Sequence, residues 1–411
     1  MVWNLLRCIA VLSLAWLSNS VGADEDIRIA VIEPYTGPSA GVGKWFTDHV
    51  RMAVDRLNAS GGLLGGRHVR IETFDSKSNP QEAIVALNSI SDKGIGFVFG
   101  TTGSNIAIAL NEAITKHNAR DPSSPILFLN HGALASELTN ESCSYWHFRF
   151  GANSDMQVMG VIRYIAQQKE IKSVYLLNQD YAYGQAVQRL MRELLAQQRP
   201  DIKLVGDELV PLQKTKDFAP YVSKIRSSGS NAVLTSFWGQ DLNLLMKAAH
   251  DFGMSSRFFT VHAHLFGGPA AIGETGAGRL VNLATWHANV ANTPLADYAS
   301  DFRKQYKEDW NYLPAKAAVE MWARAVSAAA STDTIKVAKA LEGSRYDAGT
   351  GQLWMRPDDH QLSMPLFLGT FMKVGPGVQN PAEDTGFGFR TEARLEAEAT
   401  TLPTRCKMER P

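Results

Sequence analysis

From residue 27 onward, short continuous apolar runs alternate with longer segments whose apolar residues recur every three or four positions. IRIAVI at 27–32 is β-branched and too short for a helix, so it predicts a buried strand. Pro34, Gly37 and Pro38 break the chain after it. Met52, Ala53, Val54 and Leu57 carry a helical period that Gly61 and Gly62 stop. VRIETF at 69–74 predicts a second strand, closed by Asp75 and the turn Ser78-Asn79-Pro80. A strand, helix and strand with these stops form a βαβ unit, which opens a parallel sheet.

The unit then recurs. Strands are expected at 96–100 and 125–129 with a helix over 106–114 between them. After CSYWHFRFGANSD the pattern restarts with helix 156–168, strand 173–177, helix 184–198, strand 204–210, helix 218–226, strand 232–237 and helix 242–252. Alternation this regular means α/β architecture with parallel sheets. The restart near Phe148 points to two lobes. A strand at 279–286 crosses back, and 353–355 crosses again before a strand at 366–374. No tandem repeat of fixed period appears beyond this restart.

The opening segments, IRIAVIEPYTGPSA, AVDRLNASGGLLGGR and VRIETFDSKSNP, resemble the periplasmic solute-binding proteins of the leucine/isoleucine/valine type, which feed ABC importers. The resemblance covers nearly the whole chain after the leader. It implies the type I periplasmic binding fold: two Rossmann-like lobes with parallel central sheets, joined by three hinge crossings and closing on a ligand. On that pattern 1–23 is a signal peptide, 24–149 with 284–353 form the first lobe, and 150–283 with 354–411 the second.

The N-terminus fits export. Arg7 precedes an apolar run at 8–17, and Val21-Gly22-Ala23 places small residues where a signal peptidase cuts, before Asp24. The run is shorter than the roughly 20 residues a membrane span needs. A buried N-terminal helix is the alternative. Cys8 lies inside the run, which does not match a lipoprotein anchor. Cleavage near Ala23 leaves Cys143 and Cys406, and an even pair in an exported chain predicts a disulfide. Two buried thiols remain the other reading, because the sequence gives no distance between them. Of 411 residues 45% are hydrophobic, enough for a full core, and the formal net charge is zero. Lysine and arginine are scattered, which argues against a nucleic-acid partner.

Candidate chemistry starts at GTTGSNIAIAL, where a strand ends at Gly100 and a helix begins near Ser104-Asn105. Free N–H groups and the helix dipole make such an end an anion site. Ser104 either donates to a ligand carboxylate or caps the helix; the family, which holds a carboxylate with a serine at the matching place, favours the former. In amino-acid-binding members the next loop presents a backbone carbonyl and a threonine hydroxyl to the ammonium group. Here that loop is LNHGALASELT, so Gly132 keeps the backbone role and Leu134 replaces the threonine. Their ammonium-pairing glutamate falls in FFTVHAHLFGG, at His262. Aromatic positions persist as Tyr183 in DYAYGQ and Trp238 in SFWGQD, and Tyr35 and Trp45 are candidate wall residues that core packing would explain nearly as well. An ammonium would lose its hydroxyl and its counter-charge, and a buried unpaired cation is costly. The expected ligand is therefore a carboxylate with an apolar or aromatic body rather than a branched-chain amino acid. No cofactor is expected, and the expected partner is an inner-membrane ABC permease serving a monomer.

Other signals are weaker. His262 and His264 at i, i+2 have no evident third ligand, which makes a metal site unfavoured. Asp358, Asp359 and His360 in MRPDDHQ read as a polar loop before acid–base machinery. GPSAGVGK has Trp45 after Lys44 where a phosphate loop needs Ser or Thr, and GGLLGG precedes a strand rather than the helix of a dinucleotide fingerprint. A secreted cleft enzyme using His262 or Asp359, or a ligand-sensing subunit, are the competing functions.

Overall fold

The computed structural model describes residues 26–411; the signal-peptide expectation lies outside the described residues. The first half builds β1 (Ile27–Glu33), α1 (Ala40–Ala59), β2 (Val69–Asp75), α2 (Pro80–Asp92), β3 (Phe97–Gly100), α3 (Ser104–Arg120), β4 (Leu127–Asn130) and β5 (His147–Arg149). Its five strands are all parallel, in the order β2-β1-β3-β4-β5. Strand geometry sends alternate residues to opposite faces. Ile29, Val31, Phe97, Phe99 and Leu129 therefore join Phe46 and Val50 of α1. Ala30, Ile32, Val98 and Phe128 join Leu87 and Ile90 of α2 and Leu110 and Ile114 of α3. Because both faces are covered, these strands read as unbroken apolar runs rather than alternating ones.

The restart forms α4 (Ser154–Ala166), β6 (Ser173–Asp180), α5 (Ala182–Gln198), β7 (Lys203–Pro211), α6 (Ala219–Ser227), β8 (Ala232–Leu234), α7 (Gly239–Asp251), β9 (Arg257–Thr260), α8 (Gly268–Ile272) and β10 (Leu280–Ala284). The chain then returns to the first sheet with α9 (Ala296–Tyr306), α10 (Leu313–Ala329) and α11 (Thr334–Leu341). Trp322 of α10 meets Phe97 and Phe99 edge-on, with ring centroids 5.3 and 5.7 Å apart. A small antiparallel sheet of β11 (Arg345–Asp347), β12 (Gln352–Met355) and β13 (Leu362–Ser363) leads back to β14 (Leu366–Lys373), β15 (Phe387–Leu395) and the short α12 (Ala397–Thr400).

The second sheet has seven strands in the order β15-β14-β10-β9-β8-β6-β7. It is mixed, which corrects the expectation of two parallel sheets: β14 pairs antiparallel with both β10 and β15. After the last crossing β14 enters the sheet from the other half, and a connection held by the Gly375–Val378 bridge returns it as β15, an antiparallel pair. The strand expected at 232–237 ends at Leu234, where Ser236 N–H bonds the side chain of Asn178 on neighbouring β6 (2.7 Å) instead of that strand's backbone.

Cys143 and Cys406 are bonded, their Cα atoms 5.6 Å apart. Around that bond Thr404 Oγ1 donates to Thr139 O (2.9 Å) and Arg405 N to Asn140 Oδ1 (3.0 Å), so the tail lies along the connection between β4 and β5. Among the described residues no helix is long and apolar enough to cross a membrane.

Candidate ligand cleft

Segments that follow the C-terminal ends of β3, β4, β6, β8, β9 and β10 converge on one cleft, where open α/β sheets place their ligands. Its empty space is ≈ 760 Å³, mouth included. Ser104, Gly132, Leu134, Tyr183, Trp238 and His262 all line it.

The first-half wall sets backbone groups of 102–104 and 132–134 among the side chains of Val42, Phe46, Leu134 and Tyr312. Gly103, at φ +97°, is the residue before α3 and offers no side-chain cap. Ser104 does not cap its own helix either: its hydroxyl accepts the Ala135 N–H (3.2 Å) from the facing loop, leaving the hydroxyl proton uncommitted. Among the described residues neither Ser104 N–H nor Leu134 N–H donates to a protein acceptor. Asn130 shapes the facing loop, with Oδ1 accepting from Gly132 N (3.1 Å) and Ala133 N (2.9 Å) while Nδ2 donates to Ala133 O (3.1 Å). A Cβ on Gly132 would stand 2.7 Å from the Thr101 carbonyl oxygen, so only glycine lets the loop approach β3 this closely. Tyr312 closes the corner by donating its hydroxyl to His131 O.

The second-half wall is made of side chains. Tyr183 donates to Gln157 Oε1 (2.8 Å), and Trp238 Nε1 donates to the Tyr181 hydroxyl (2.9 Å). The Tyr183 and His262 rings meet edge-on, centroids 5.4 Å apart. Burial, with His264 nearby, pushes the His262 imidazole down to about 3, so it is neutral near pH 7. His264 also lines the cleft, and its Nδ1 lies 3.1 Å from the Asn282 amide nitrogen. Among the described residues the lining contains no Asp, Glu, Lys or Arg.

Tyr35 and Trp45 are not on this wall. The Tyr35 hydroxyl pairs with Thr47 Oγ1 of α1 (2.7 Å), and Trp45 packs in the core against Phe46, His49 and Tyr312. Nor does the 358–360 segment line the cleft. Asp359 accepts from Arg356 Nε (3.0 Å), while His360 stacks on Phe148 (centroids 3.9 Å) and pairs with Glu342 (2.7 Å). Gln157, Tyr181, Thr285 and Tyr312 line the cleft without having been foreseen. Tyr181, in the same DYAYGQ segment as Tyr183, was the one with a readable neighbour.

Two halves joined by three crossings enclose a cleft whose lining, among the described residues, carries no Asp, Glu, Lys or Arg, an arrangement suited to holding a small solute. The family model described as periplasmic binding protein matches residues 26–375, and the chain belongs to that family. It is 28% identical over 425 residues to the Leu/Ile/Val-binding protein homolog 4 of Brucella melitensis, covering 98% of this chain and 97% of that one. Among solved structures, the leucine-, isoleucine-, valine-, threonine- and alanine-binding protein of Brucella ovis, in a closed conformation, superposes with TM-score 0.87 at 26% identity, covering 94% of this chain and 100% of that chain. A solute-binding protein of an ABC transporter from Rhodopseudomonas palustris BisB5, in complex with 3,4-dihydroxybenzoic acid, shares the fold at TM-score 0.78 and 16% identity, covering 91% and 98%.

Proposed function

We propose that this chain is the periplasmic solute-binding component of an ABC importer, exported with cleavage near Ala23. In this reading residues 24–149 with 284–353, and 150–283 with 354–411, are the lobes that close on one small carboxylate with an aromatic or apolar body. The observation that carries it is the uncharged lining: Leu134 and a neutral His262 stand in the cleft, and among the described residues no acid stands there to balance an ammonium group. A carboxylate is served instead by Ser104 and the N–H groups of Ser104 and Leu134, its body by Tyr183 and Trp238. His262 meets a polar substituent at the far end as donor or acceptor. The permease is the partner, and the monomer suffices for closure.

A branched-chain amino acid is the second reading, favoured by the Brucella ovis protein's name. Thermal shift with substituted benzoates and with leucine, isoleucine and valine separates the two, because free ligand stabilises by RT ln(1 + [L]/Kd). Benzoates should raise Tm and be recovered unchanged. Tight leucine binding that survives His262→Ala would sink the aromatic-acid reading, and recovery of a converted product would make the protein an enzyme.

A further inference from the structure

Glu33 ends β1 directly behind the first-half wall, and its side chain is wholly buried. Its Oε2 accepts both the N–H and the hydroxyl of Thr102, at 2.8 and 2.6 Å, and Thr102 lines the cleft two residues before Ser104. Its Oε1 has no hydrogen-bond partner among the described residues. The titratable groups that face it are few. His131, from the loop after β4, places Nε2 3.9 Å from Oε1. Tyr35, beyond β1, and Tyr312, ahead of α10, both feel its charge. Asp48 and Arg51 of α1 act on Tyr35, and Arg149 acts on Tyr312. Among the described residues no lysine or arginine pairs with Glu33, and burial keeps the His131 imidazole near 3 and so uncharged.

A buried carboxylate with hydroxyl and amide donors but no cation is expensive to ionise. A second carboxylate held at the start of α3 adds like-charge repulsion across a poorly solvated layer. We propose that Glu33 couples ligand binding to proton uptake: the cleft takes an anionic ligand with Glu33 protonated, and Glu33 acts as a positioning residue behind Thr102 rather than as a contact. This rests on the carboxylate reading above. Burial raises the Glu33 carboxyl to about 8, which sets the sign. Below that pH the free protein already carries the proton and affinity is flat. Above it each binding event takes up one proton, and affinity falls about tenfold per pH unit.

Isothermal titration with benzoate, whose own carboxyl is ionised throughout, tests this from pH 6.5 to 9.5. Affinity should fall roughly thirtyfold by pH 9.5. Paired buffers of different ionisation heat should show about one proton taken up above pH 8 and none at pH 6.5. Glu33→Gln, referred to its own affinity at pH 6.5, should lose the dependence. A neutral-carboxyl infrared band, present in the ligand-free protein at pH 6.5 and missing in Glu33→Gln, should disappear as pH rises through 8. An affinity independent of pH with no proton uptake, the same dependence in Glu33→Gln, or a free protein without that band would overturn the coupling alone. Benzoate left unbound at pH 6.5 would instead overturn the carboxylate reading, and this inference with it.

Discussion

The two walls of the cleft are built on different principles. The first carries its free donors on N–H groups and the Ser104 hydroxyl, set among apolar side chains, and the residues that shape it, Asn130 and Glu33, stand behind it rather than in it. The second presents side chains that brace one another in pairs, Tyr183 on Gln157 and Trp238 on Tyr181. A backbone wall reads a generic group such as a carboxylate and depends on hidden supports. A side-chain wall reads the shape of the ligand's body, so exchanging its rings can retune the ligand without disturbing the anchor.

Acid should produce the largest effect, and it strikes both in the wall, at His262 and His264, and in the buried layers behind it. Burial holds His49, His131, His262 and His287 near 3 and His264 near 4, all below the ordinary 6.5. The unfolded chain therefore binds more protons than the folded one below 6.5, and stability falls as pH falls toward the folded values. Between pH 6.5 and 5.5 each histidine removes about 1 kcal/mol, on the order of 5 kcal/mol for the five, against which Glu33, raised to about 8, returns about 1 kcal/mol. Calorimetry at the two pH values checks this; an unchanged Tm would mean the imidazoles titrate as free ones. Next is Gly132→Val, which places side-chain carbon against the Thr101 carbonyl and should lower carboxylate affinity more than about 100-fold with the second wall untouched. Ser104→Ala removes one charge-assisted hydrogen bond, roughly a 10- to 100-fold loss confined to ligands bearing a carboxylate. Tyr183→Phe leaves Gln157 Oε1 without its donor while keeping the ring; about fivefold is expected, the same for every carboxylate tested by titration.

Legibility followed the same division. Strand–turn–helix punctuation at 97–104 marked a place where N–H groups are exposed, because a glycine turn opening a helix does so wherever it occurs, but only the family resemblance favoured Ser104 as a ligand donor over a helix cap. The buried strands were readable for the related reason that apolar runs covered on both faces leave no polar alternation. On the second wall Tyr183, Trp238 and His262 were found through the family resemblance, with no local signal of their own. Gln157 and Tyr312 had neither, since their places depend on contacts of Tyr183 and His131 with residues far along the chain. Tyr35 and Trp45 stayed open between wall and core because a large aromatic near a cleft and one in the adjacent core look alike in sequence, and neither lines the cleft. The antiparallel β14 and β15 came after a crossing whose direction no run of residues encodes.

The uncharged lining also bears on how quickly a solute is caught. With no Asp, Glu, Lys or Arg in the cleft lining among the described residues and a formal net charge of zero, little long-range field draws an anion inward. Recognition begins at contact, where N–H dipoles act over a few ångströms. The association rate should then stay nearly flat as ionic strength rises tenfold, measured by stopped-flow fluorescence of the cleft's Trp238, whereas a steered encounter would slow steeply. Such a receptor gives up speed at low salt and keeps the same capture rate when the salt around it changes.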